Sequence, residues 1–122
     1  RDWPLNPQQG SICEPTGTRD GYSAILSLQY VFGLQVARDI FRQLGYTEKV
    51  EEYTKLAQKI KKATYNKCWD NEMELLANTP QKLNYSQHTN IFAALTGVVP
   101  QEKLPDLLYR VKNDKSLTQA SL

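Results

Sequence analysis

The sequence predicts an all-α fold built of consecutive helical hairpins, and three observations carry that prediction. Long segments repeat their apolar residues at spacings of three and four, the period of an α-helix. These segments alternate between ones that are apolar over most of their circumference and ones that carry a single apolar stripe. Serine, threonine, glycine and proline stand where helices of these lengths start and stop. The alternation has a physical meaning. In a double ring of helices, inner helices touch neighbours on every side, whereas outer helices touch only the inner ring and keep a wet face.

The first helix is expected from about Asp20 to Leu44. Ile25, Leu26, Leu28, Tyr30, Val31, Phe32, Leu34, Val36, Ala37, Ile40, Phe41 and Leu44 wrap most of its surface, so it should be buried on several sides. Asp20 or Ser23 can cap its start, and Gly45 suits the left-handed position that ends it. The second is expected from about Thr47, a candidate cap, to Lys67, with Val50, Tyr53, Leu56, Ala57 and Ile60 as a narrow stripe. Its opposite face mixes Glu48, Glu51, Glu52, Lys55, Lys59 and Lys62, which is a solvated surface. The stretch "WDNEMELLANTPQKLNY" breaks the helical pattern, and "MELLA" within it reads as a short extended piece.

A third, short apolar helix is expected to begin near Ser86, a capping residue, and to end at Gly97, with Pro100 blocking continuation. A fourth runs from about Gln101 to Lys112 on Leu104, Leu107, Leu108 and Val111, with Pro105 in its first turn. Residues 1–19 read as a loop, residues 20–112 as two hairpins, and residues 113–122 as a loose polar tail. The first helix carries more apolar surface than the second can cover, which argues for further helices, in the same chain or another, as partners. The start of the chain therefore reads as a cut through a larger domain.

Composition narrows the function classes. The net charge of +2 is small, and the basic residues sit among acidic ones, so nucleic acid is not an expected partner. No apolar run approaches the roughly 20 residues that cross a bilayer, so no membrane partner is expected. Cys13 and Cys68 make no disulfide framework, and neither has zinc-site spacing. Cys68 falls at a helical apolar position and reads as a small buried hydrophobe. One histidine, His88, builds no metal site by itself, and no phosphate-loop, dinucleotide or catalytic-serine motif occurs, so no metal or cofactor is expected.

Candidate chemistry lies in two places. The opening loop carries Asp2, Trp3, Glu14 and Asp20. Glycosidic cleavage needs two carboxylates held roughly 5 to 10 Å apart, and nothing in the sequence brings these together. Trp3, between Asp2 and Pro4, joins no helical stripe, and is either a ring for a sugar to stack on or a plug over the end of the core. Trp69 is expected to pack at the end of the second helix. At the start of the third helix, "SQHTN" places Gln87, His88 and Asn90 at the mouth of an apolar segment. There, free N–H groups favour hydroxyl-bearing or anionic ligands, although capping and a hydrogen-bonded core histidine are the competing roles.

The stretches "DWP" followed by its Gly-containing loop, "RQLGYTEKVEEYTKLAQKIKKATYNKCWD" and "NYSQHTNIFAALTGVVPQE" stand in an order that resembles the catalytic domain of bacterial α-L-rhamnosidases, glycoside hydrolase family 78, over roughly residues 1 to 112. The resemblance implies an (α/α)6 toroid of the six-hairpin glycosidase type, with the active site at one end. It implies inverting hydrolysis of terminal α-L-rhamnosides by two glutamates, one upstream of the "DW" loop and one downstream of the "SQ" helix. Both fall outside this sequence, so no catalytic residue is assigned, Glu14 is not promoted to the role, and the chain alone is expected to be inactive.

By the same resemblance Asp2 and Trp3 lie near the sugar subsite, Trp3 as a stacking wall and Asp2 as a hydroxyl acceptor or loop anchor. Gln87 and His88 face the cleft from the start of an inner helix. The implied partners are a carbohydrate substrate with a terminal rhamnoside and the remaining hairpins of the parent chain, and the implied compartment is periplasmic or extracellular. The proline after "DW" and the insert "SICEPTGTRD" depart from the family pattern and bear on which sugar is taken. The alternatives are another six-hairpin glycosidase and a non-catalytic helical-repeat interaction module. The opening loop separates them, because a scaffold needs no Asp-Trp-Pro there.

Overall fold

The computed structural model describes residues 22–120. Asp2, Trp3, Cys13, Glu14 and Asp20 lie outside the described residues. The described chain is mostly helical, with one small two-stranded sheet. Its order is α1 (Ala24–Leu44), α2 (Thr47–Cys68), β1 (Trp69–Asp70), β2 (Leu75–Leu76), α3 (Gln87–Thr96), a single 3-10 turn (Gln101–Lys103) and α4 (Leu104–Asn113).

Local chemistry sets the ends of these helices. Ser23 caps α1, its Oγ accepting the Leu26 N–H at 3.3 Å. Gly45 ends α1 at φ 81°, where its N–H reaches the Arg42 carbonyl. The cap of α2 is Tyr46 rather than Thr47, and no side chain satisfies the first turn. Glu48 in that turn instead offers negative charge to the positive end of the helix. Ser86 caps α3 as expected, accepting from Thr89 N, and Gly97 closes it at φ 78°.

The break between α2 and α3 is a tight β-hairpin followed by a loop. Trp69 pairs with Leu76 and Asp70 with Leu75, so the extended piece is shorter than "MELLA". The Asp70 carboxylate accepts the Glu72 and Met73 N–H groups at 2.9 and 3.1 Å, which folds the turn. Leu75 and Leu76 point to opposite faces of their strand, yet both are fully buried, so the strand is covered on both sides.

The helices pack as two hairpins. α2 returns along α1, with Val31, Leu34 and Ala57 at their interface. α4 returns over α3, and Leu107 and Val111 join Leu28, Cys68, Trp69, Leu75, Leu76 and Ala93 in the main core. α1 and α3 lie side by side and parallel. Ala24 N bonds Asn78 O near their starts, Phe32 meets Phe92 edge-on at 5.9 Å in the middle, and Gln35 Nε2 bonds Thr96 O at 2.9 Å toward their ends.

The residues expected to wrap α1 do not all find cover. Leu28, Val31 and Leu34 are buried, but Leu26, Tyr30, Ile40 and Leu44 are exposed, and with Gly33 and Ala37 they recur at spacings of three and four to form one open stripe. The buried face of α3 is more polar than its apolar reading, since Thr89, Asn90 and Thr96 are buried there. Each has a partner: Thr89 bonds Asn78, Asn90 bonds Leu76, and Thr96 Oγ1 returns to Phe92 O.

The tail corrects the sequence expectation. It is not loose as far as Ala120. Leu117 is buried, Thr118 N donates to Tyr85 O, and Thr118 O accepts the Gln87 N–H, so Ser86 and Thr118 form a parallel bridge across the start of α3.

Candidate functional site

The polar side chains converge where α1 and α3 begin together. The connection from β2 crosses in front of both helices and delivers Asn78, which is 3% exposed. Its main chain ties the region together: Asn78 N donates to Asn84 O and Asn78 O accepts from Ala24 N at 3.0 Å. Its side-chain Oδ1 accepts from Ser86 Oγ at 3.0 Å and from Thr89 Oγ1 at 2.8 Å. The two hydroxyls are themselves 3.0 Å apart, and Ser86 Oγ already accepts the Thr89 N–H. The Thr89 hydroxyl donates to Oδ1, and the single Ser86 hydroxyl proton has Oδ1 and Thr89 Oγ1 both within reach.

A cavity of about 100 Å³ opens beside this cluster. Ile25 supplies an apolar wall from α1, Asn78 and His88 supply polar walls, and Thr118 and Gln119 of the tail close the other side. His88 is exposed rather than sunk in the core, so it is free to meet a ligand. Of Gln87, His88 and Asn90, it is the one that lines this cavity.

Gln87 is differently placed. Its Nε2 donates to Val111 O at 2.7 Å and its Oε1 accepts from Ala120 N at 2.6 Å. Both ends of the amide are held by main chain, so it fastens the tail and α4 to α3. Asn90, one turn further, is fully buried and bonds the N–H and C=O of Leu76, which is a structural role. Asp2 and Trp3 lie outside the described residues, so their relation to the cavity is not defined.

Sequence reasoning missed Asn78, Thr118 and Gln119. Asn78 sits in a segment with no periodicity, and its role arises only when two helix starts meet around it. One signal did point to the tail: Leu117 is an apolar residue in an otherwise polar run, and it is the residue that anchors the segment.

A second centre is structural. The Tyr85 hydroxyl donates to Asp70 Oδ2. That bond, with the Met73 and Glu72 N–H groups, holds the Asp70 carboxyl below its ordinary range. Burial first, then the neighbouring carboxylate, pushes the Tyr85 phenol up to about 12. Among the described residues no group of three His, Cys, Asp or Glu side chains is placed to hold a metal ion. No helix there is long and apolar enough to cross a membrane. No family model, curated protein or solved structure matches the chain.

Proposed function

We propose that this chain is part of a glycoside hydrolase of the six-hairpin type, resembling α-L-rhamnosidases, which removes terminal α-L-rhamnosyl groups with inversion. The observation that carries the reading is the parallel pairing of α1 and α3. Two helical hairpins whose first helices run side by side, with starts at one end around a polar cavity, are the repeating unit a toroid of hairpins requires. The open stripe of α1 supports the same reading, because it leaves a face for a further helix. In such a barrel Trp3 would form a stacking wall for the sugar, and the acid and base would come from outside these 122 residues.

The test is hydrolysis of 4-nitrophenyl α-L-rhamnopyranoside. The 122-residue chain alone is expected to release no nitrophenol. A folded protein that contains this chain within a complete barrel is expected to release it, with inverted anomeric configuration by proton NMR, and Trp3→Ala is expected to raise KM strongly. A complete protein that cleaves no aryl glycoside at all would overturn the reading. If Trp3→Ala left binding untouched, the interaction-module alternative, which uses the exposed apolar face and has no sugar site, would stand instead.

A further inference from the structure

We infer that the cavity at the starts of α1 and α3 is a binding site for a single oxyanion group, a carboxylate or a phosphate. The inference goes beyond the glycosidase reading and does not require it. It begins with the donors the cavity presents. Ser23 Oγ, Ser23 O, Asn78 O, Ser86 Oγ, Ser86 O and Thr118 O satisfy most of the first N–H groups of the two helices. The main-chain N–H groups of Ile25 and His88 have no partner among the described residues, and both residues line the cavity.

The side chain of Asn78 adds a donor that does not belong to either helix. This residue is 3% exposed, and its Oδ1 is fixed by the Ser86 and Thr89 hydroxyls. Its Nδ2 has no partner among the described residues, and Asn78 lines the cavity. An acceptor in the cavity would take up the N–H donors that Nδ2 leaves unused.

The electrostatics agree with an anion rather than a neutral acceptor. Two parallel helices bring their positive ends to the same place, each worth roughly half an elementary charge. Among the described residues that line the cavity none is acidic. The cavity volume of about 100 Å³ limits the occupant to one small group, with the rest of its carrier outside. Exposed His88 stands at the same opening and can add a further N–H donor from its ring.

The experiment is an amide NMR titration of the 15N-labelled 122-residue chain with sodium acetate and, separately, with inorganic phosphate, each against sodium chloride at matched ionic strength. Saturating shifts are expected at the Ile25 and His88 main-chain amides and the Asn78 side-chain amide. Saturation by acetate alone, phosphate alone or both identifies which oxyanion the site takes. Asn78→Asp keeps the acceptor for the two hydroxyls and removes the donors, and is expected to weaken binding about tenfold or more. Thr118→Asp, on an exposed lining residue, puts a negative charge at the mouth and gives the same expected loss should Asn78→Asp fail to fold. Shifts no different from those of chloride, or centred on other residues, would overturn the inference. So would wild-type affinity in whichever variant folds. Glycoside cleavage is not read in this titration, so its outcome leaves the glycosidase reading separately testable.

Discussion

Asn90 holds Leu76 by both of its main-chain groups: Nδ2 donates to Leu76 O at 2.9 Å and Oδ1 accepts Leu76 N–H at 2.8 Å. β1 pairs β2 on one side, and this side chain bonds the main-chain groups of Leu76 that no further strand among the described residues takes up. Asn90→Ala leaves a buried N–H and a buried C=O unpaired. The expected loss is about 3 kcal/mol, read as a lower urea midpoint with unchanged slope. A loss below about 0.5 kcal/mol would mean that water or a shifted strand replaces the amide.

The link between Asp70 and Tyr85 gives a pH dependence. The folded Asp70 carboxyl titrates below its ordinary value because the Tyr85 hydroxyl and two N–H groups bond its charged form. Asp114 behaves alike, lowered to about 2 by the Ser116 hydroxyl, Arg110 and the Ser116 N–H. A depressed folded pKa contributes stability above the unfolded value, and that stability is lost as pH falls through the folded one. The urea midpoint is therefore expected to fall from about pH 4 downward. Asp70→Asn should flatten that acid limb, and an unchanged limb would show that Asp70 does not contribute to it.

The Cys68 thiol is fully buried, and burial pushes its pKa up to about 11. A protonated, covered sulfur is a poor nucleophile. In a Cys13→Ser variant, which leaves Cys68 as the chain's one thiol, Ellman's reagent at pH near 8 should react fully only after denaturant is added. Rapid reaction without denaturant would show that α2 opens locally at its end.

How much of this was legible in the sequence depends on whether the cause was local. Gly45, Gly97, Ser86 and Pro105 mark their helix ends by their own chemistry, and each stands where it was expected. The excess apolar surface of α1 was likewise visible, because periodicity shows how many faces a helix must hide. The site was less legible. Gln87 and His88 are neighbours in the same helix turn, and nothing in the sequence says that one amide is held by Val111 and Ala120 while the other side chain meets a cavity. That distinction depends on residues 24 and 33 positions away, which periodicity does not reach.

Gln87 also predicts how the tail behaves. Its amide is the side-chain tie between α3 and Ala120, alongside the main-chain bonds of Thr118. Gln87→Ala is expected to speed amide hydrogen exchange at Ala120 and Thr118 while leaving exchange in α1 and α2 unchanged. A global increase would place Gln87 in the cooperative core, and no increase would show that buried Leu117 and the main-chain bonds of Thr118 fasten the segment without it.

Gly33 and Gly97 should respond to alanine in opposite directions. Gly33 lies inside α1 on the open stripe, and an added Cβ would meet nothing within 4 Å. Glycine in a helix interior is less stable than alanine by about 0.5–1 kcal/mol, so Gly33→Ala should stabilise the isolated chain by that amount. At Gly97, φ is +78° and Lys61 Nζ stands 3.4 Å from the added carbon, so the same change should destabilise. Paired thermal melts read the sign at each site, and equal shifts would show that space and φ do not govern these glycines. The result at Gly33 also bears on what covers α1. Where another helix packs closely on the Leu26–Tyr30–Ile40–Leu44 stripe, the space for a Cβ is gone. The benefit of Gly33→Ala should then be present in this chain and absent, or reversed, in a protein that completes the ring.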